Sequence, residues 1–565
     1  MKTQLTMVTA ALLPLLAQAG DFTVPSHIER DYACNQCRLP QGDNALTLLT
    51  EQSTHLDDQY GLSGHLLGQQ GQVVADRAGA DNGALSAATQ MGALALTLDY
   101  RNLWSLDDNN IGAERDRIDA AIRYRSDWLS AYVEGNSEDK NGQRVSSRKE
   151  GVPSNYLERI DHTTQKINAG IQLNGNAWHL GVSAFESRFE DNAGIDADNR
   201  AQQASIQAGL TALGTRLSVG ASSGKMIQDE AIVQENNLVP ITHFDGEVET
   251  LDYNLRLTSR LGSARLSAFY RYSERDNVSG SYPFFDGVNQ PIDTEKTRYG
   301  AELSYRWSQL ALSAGMEQND RQRTHTEREQ TEETEWFGRL DYHNQQLKGH
   351  LKLSDSDRSG SQYRIDDNRY RPYYLANRDR LAAEAGLGYA GTVSGLSLTL
   401  VWAEDDYEHD AALQHAQERH LNLEGYYLLG QQLTLTAFAG HQQVDSTEQH
   451  NTEVEQEYRY AGFGLEMAEL TERLDAGLDY HFAYSGSDTL IEQIDPEDDY
   501  HYTHRVETYL QHRFSERFSG RLSYTYERYY DTDFANQKVD FINSLADLNQ
   551  NYIDHKVGVY LSIKL

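Results

Sequence analysis

The sequence predicts an all-β fold: one large transmembrane antiparallel β-barrel of roughly 26 strands, preceded by a short N-terminal periplasmic segment. Three observations predict it. From about residue 90 onward, short segments alternate in polarity residue by residue, which is the period of a strand. The connections between them alternate between tight turns and long polar stretches. The composition holds 34 Tyr and 43 Gly against 9 Pro and 2 Cys, and Tyr suits a ring that sits half in lipid and half in water.

The chain opens with Lys2, then the apolar run from Leu5 to Leu16, then Ala17-Gln18-Ala19. This order reads as a secretory signal cut after Ala19. The run is too short to span a bilayer as a helix, and Cys34 lies too far on for a lipoprotein signal. We therefore divide the chain into a signal at 1–19, a periplasmic segment with possible first strands at 20–90, and a barrel at 91–565. Strands follow in order. Ile167, Ala169, Ile171 and Leu173 alternate with Lys166, Asn168, Gly170 and Gln172. The pair Asn174-Gly175, both tolerant of positive φ, predicts a tight turn into Trp178, Leu180, Val182 and Ala184. Tyr253, Leu255 and Leu257 lead through a turn at Gly262-Ser263 to Leu266, Ala268, Tyr270 and Tyr272. Leu396 to Trp402, Leu433 to Ala439 and the terminal Val557 to Leu565 repeat the pattern. Long connections are expected at Asp276 to Asp293 and Asp355 to Arg380. Acidic loops are expected at Glu327 to Glu335, Asp405-Asp406 and Asp495 to Asp499.

The alternation continues for most of the chain without a linker, whereas stacked sandwich domains would break about every 100 residues. A closed sheet is the simpler account, because closure satisfies every backbone group in lipid and leaves no edge. Mean hydropathy is only −0.67, as expected when alternate residues alone meet lipid. At about 20 residues per strand and connection, roughly 26 strands fit, enclosing a lumen too wide for wall side chains to fill. The formal charge of −35, from 85 acidic and 50 basic residues, excludes phosphate-driven nucleic-acid binding.

Little in the chain suggests chemistry. Cys34-Asn35-Gln36-Cys37 is the only cysteine pair. Position 38 is Arg, so the pair is not a c-type haem attachment site. Only His27 lies near it, too few ligands for zinc, and no βαβ context suggests thioredoxin chemistry. A small disulfide loop and a redox or docking role both remain open. The histidines, including His409, His415, His420 and His441, form no ligand cluster in sequence. No phosphate loop, nucleophile elbow or calcium-loop spacing is present, so neither a catalytic residue nor a metal site is expected.

Several stretches together resemble the MtrB/PioB family of decahaem-cytochrome-associated outer-membrane proteins. They are Cys34 and Cys37, Ser359-Gly360-Ser361-Gln362-Tyr363, and Leu375-Ala376-Asn377-Arg378-Asp379-Arg380, with Asn377 where the family stretch has an acid. They also include Tyr270 to Asn277, Asp320-Arg321-Gln322 with Thr334-Glu335-Trp336, and Tyr526-Glu527-Arg528-Tyr529 through Leu565. The chain is shorter than the best-known members, which implies trimmed outer loops. The resemblance implies a barrel in the bacterial outer membrane that sheathes a periplasmic decahaem c-type cytochrome. The two would form an electron conduit to an extracellular acceptor, through an extracellular multihaem cytochrome or reductase. The haems would belong to the partner, with no cofactor in this chain. Alternation turns Arg256, Arg265 and Arg271 to the polar face, and the resemblance makes them candidate contacts with the cytochrome. A general porin or solute-transport barrel, and a docking barrel that uses its acidic loops, are the competing expectations.

Overall fold

The computed structural model describes residues 45–565 apart from 55–58, 68–70, 79–82, 107–111, 149–153, 194–197, 229–245, 281–282, 285–286, 289–290, 365–371, 410, 431, 450–451, 492–498 and 533–550. The signal at 1–19 and Cys34 and Cys37 lie outside these residues.

One antiparallel sheet of 26 strands contains the whole wall. Neighbours in sequence are neighbours in space, from Ala45–Ser53 to Tyr552–Lys564, and the last strand pairs back onto the first, with Leu48 opposite Leu561. Side chains knit this seam on the lumen side. Thr47 and Ser562 share a hydroxyl hydrogen bond of 2.7 Å, Ser53 donates to Asp554 at 2.6 Å, and Tyr560 donates to Glu51. Closure leaves no free strand edge in lipid. Strands Ala45–Ser53, Gln59–Leu67, Gly71–Ala78 and Ala84–Met91 belong to the ring, so the wall starts well before residue 91.

Alternation sets which face meets lipid. Ile167, Val182, Leu400 and Leu561 all point outward and all are exposed, an arrangement a water-surrounded protein would avoid. Ala45, the first described residue, and Leu565 lie at one rim with the tight connections. At the opposite rim stand the strand ends that flank the longest stretches of sequence between strands, such as Gln228 and Gly246, or Gly360 and Arg378. We call this second rim distal.

Two local expectations shift. The turn after Ser154–Asn174 centres on Asn176-Ala177, two residues later than Asn174-Gly175, with the Gly175 amide donating to the Trp178 carbonyl at 2.7 Å, and neither Asn174 nor Gly175 adopts positive φ. Gly262, by contrast, does turn at φ +67. The strands also run further than polarity alone suggests. Glu332 to Glu335 lie in Gln330–His343, Asp355 and Asp357 in Leu347–Gly360, and Asp405-Asp406 in Ser394–Tyr407. A 14-residue strand tilted by about 40° rises about 35 Å, more than the apolar band of about 25 Å, so its distal end stands in water and tolerates acids.

Candidate functional site: the lumen wall and its distal cap

A ring of 26 strands spaced about 4.8 Å apart and tilted about 40° has a backbone diameter of about 50 Å. What the inward side chains do decides how much of that width stays open. Many of the large ones lie along the wall. Phe269 folds over Gly300 of the next strand, its ring 2.9 Å from where a Cβ would stand. Tyr132 covers Gly170 in the same way at 2.6 Å. Phe337 on Gly315, His350 on Gly386, Tyr460 on Gly440 and Tyr509 on Gly477 repeat the device, each pair directly cross-strand. Only glycine leaves room for a ring at that depth.

Cations then lie on these rings. The Arg271 and Arg298 guanidiniums stand 5.5 and 5.8 Å from the Phe269 centroid, Lys352 stands 5.2 Å from Phe337, and Arg521 stands 3.6 Å from Tyr509. Arg256 is the cross-strand partner of Phe269, and Arg265 is opposite Arg260 and Ser304. Arg256, Arg265 and Arg271 therefore share the face opposite Leu255, Leu257 and Tyr270, which is the lumen face.

At the distal rim the lumen wall holds a buried arginine cluster. Arg328 donates from Nε to the Ser361 carbonyl at 2.7 Å, from Nη1 to the Leu375 carbonyl at 2.7 Å, and from Nη2 to Asn377 Oδ1 at 2.6 Å. Arg358 donates to the carbonyls of Ala376 at 2.9 Å and Tyr373 at 2.7 Å. Arg378 pairs with Glu333, while Arg380 lies 3.2 Å from Asp405 and 3.5 Å from Glu418. The segment from Tyr373 to Asn377 is thus strapped inward against the wall, with Leu375 2 % exposed. Tyr363, outside the strands, stacks on Arg328 at 5.0 Å. Burial pushes its hydroxyl well above the usual tyrosine range, and nearby Glu408 pushes it further.

The structure also brings together a group not visible in the sequence. Glu404, Asp406 and His415 offer ligand atoms within 4.8 Å of one another on the outer surface. The signal was a cross-strand pairing, Asp406 with His415, that spacing along the chain does not reveal. The 2.8 Å hydrogen bond between those two already accounts for the geometry.

The model of a family described as a putative outer membrane beta-barrel porin, MtrB/PioB, matches residues 104–565. The chain belongs to the MtrB/PioB family. Outer membrane protein MtrB of Shewanella baltica is 26% identical over 496 residues, which cover 76% of this chain and 71% of that protein. Among solved structures, the siderophore receptor PirA of Acinetobacter baumannii aligns at TM-score 0.53 and 10% identity, covering 87% of this chain and 85% of that one. The ferric enterobactin receptor PfeA of Pseudomonas aeruginosa aligns at TM-score 0.52 and 11% identity, covering 88% and 85%. These two likenesses show the fold alone. The matched MtrB/PioB region includes every residue of the distal strap, and the stretches at 359–363 and 375–380 prove to be its two sides. Asn377 accepts from Arg328 without the charge an acid would bring.

Proposed function

We propose that this outer-membrane barrel sheathes a periplasmic multihaem c-type cytochrome of the decahaem kind, insulating a haem chain that carries electrons across the membrane. One observation carries the reading. In a ring about 50 Å across at the backbone, inward rings are laid flat onto glycines of neighbouring strands. Such a wall keeps its own bulk out of the lumen and leaves width for a folded protein. A polar wall of Arg, Asn, Ser and Gln suits the surface of a soluble guest. Membership of the MtrB/PioB family supports the same reading. The haems belong to the guest, and an extracellular multihaem cytochrome or reductase at the distal rim would take or give the electrons.

The test is purification of the barrel from its native membrane in mild detergent, followed by haem staining. The expected result is a haem-bearing partner in a fixed ratio to the barrel. A colourless barrel that conducts ions as a wide open channel in planar bilayers overturns the proposal in favour of a porin.

A further inference from the structure

Charges on the lumen wall are sorted into arcs of opposite sign. On the four consecutive strands Gly246–Leu261, Ala264–Asn277, Thr294–Trp307 and Leu310–Arg323, every Lys and Arg stands in inward register. Glu249, Glu274, Asp276, Glu295 and Asp320 of the same strands face outward, leaving Asp252, Glu302 and Glu317 inside. Beyond three intervening strands the sign of the lumen wall changes, with acids on both faces of the sheet and Lys and Arg absent from the inner one. The five strands from Ser394–Tyr407 to Leu474–Ile491 turn Glu418, Glu424, Glu466, Asp475 and Asp479 inward, while their two arginines, Arg419 and Arg459, face outward.

The basic arc is not self-neutralised. Arg260 lies directly opposite Arg265, Arg271 opposite Arg298, and Lys296 opposite Arg321. Like charges directly opposed across a sheet destabilise it. Among the described residues, Arg256, Arg265, Arg271 and Arg321 hold no carboxylate in an ion pair. A wall that crowds cations in this way, on a chain of formal charge −35, is built to meet negative charge from outside the chain. In a water-filled lumen, the arcs would be screened from each other over about 8 Å of physiological salt. They act together only on a body that fills the lumen and excludes that water.

Resting on the sheath reading, we propose that the guest is a protein with an acidic face seated on the arc 246–323. A face poor in acids would be seated on the arc 394–491, so that the two arcs fix its rotation about the barrel axis. Complementary fields of this kind select register and orientation more than raw affinity.

The test uses the full-length barrel in its native membrane, with haem retained per barrel measured after a salt wash. Barrel assembly is checked by heat-modifiable electrophoretic mobility. The triple variant Arg256→Glu, Arg271→Glu, Arg321→Glu is expected to retain about tenfold less haem than wild type at the same salt. The milder triple Arg→Gln at those positions serves if the reversal fails to assemble, and its haem release is expected at lower salt than wild type. Reversal of the outward Glu249 and Glu274 to Lys is expected to change nothing. Crosslinks from Arg271→Cys and from Glu424→Cys should reach separate peptides of the guest, the first rich in Asp and Glu. Assembled barrels that keep wild-type haem at every salt, or crosslinks that spread over the same peptides, overturn the proposal. A wild-type barrel without any haem partner overturns the sheath reading instead.

Discussion

Arg358 sits 4 % exposed and donates to two main-chain carbonyls of an inward-strapped segment. Truncating it strands the buried Ala376 carbonyl at about 1–3 kcal/mol and leaves the Tyr373 carbonyl with the Ala376 amide alone, while every ladder bond of its strand stays in place. Arg358→Ala is therefore expected to free residues 372–377 without opening the barrel. Protease added to intact cells should cut there in the variant and not in wild type, with heat-modifiability unchanged. Equal resistance of the two would show that the guanidinium does not hold the strap. Asn377→Asp should keep the strap closed in the same assay, because its oxygen still accepts from Arg328 and gains charge attraction. None of this geometry follows from spacing. The stretches at 359–363 and 375–380 stand out in sequence, but their carbonyls meet Arg328 and Arg358 only once the strands are side by side.

At the scale of strands, the ring-over-glycine pairs show what alternation can and cannot reveal. Period two puts Gly170 on the polar face with Asn168 and Gln172. It does not say that Tyr132 of the preceding strand lies on it. Gly170→Ala and Gly477→Ala together are expected to leave assembly intact, because the nearest atoms to each new methyl belong to the Tyr132 and Tyr509 rings, which can swing into the lumen. The swung rings narrow the bore, and haem retained per barrel should fall. Unchanged retention in an assembled double variant would mean that the flat rings do not matter for the guest. The ends of strands were also hidden. Glu332, Asp355 and Asp405 look like loop residues, yet they are paired, because the wall rises past the lipid and water reaches the distal turns of the strands.

For the whole molecule, the outward face is the one that cannot tolerate charge. Leu400 stands at the middle of its strand and faces lipid. Leu400→Arg should cost about 2–4 kcal/mol, read as a lower denaturant midpoint for unfolding in lipid vesicles. An inward neighbour, Thr399→Arg, should cost much less. Similar losses at both positions would contradict the assignment of faces.

The sequence by itself determined the sheet, its continuity and its two faces, because side-chain direction in a strand is fixed by a period of two whatever the register between strands. The roughly 26 strands read from chain length and the outward Leu and inward Arg positions needed nothing else. The tertiary structure decided which residues oppose each other around the ring. Cross-strand neighbours come from register, and register joins positions as far apart as Leu48 and Leu561. The distal strap, the rings laid on glycines and the sorting of lumen charge into two arcs all depend on those long-range pairings.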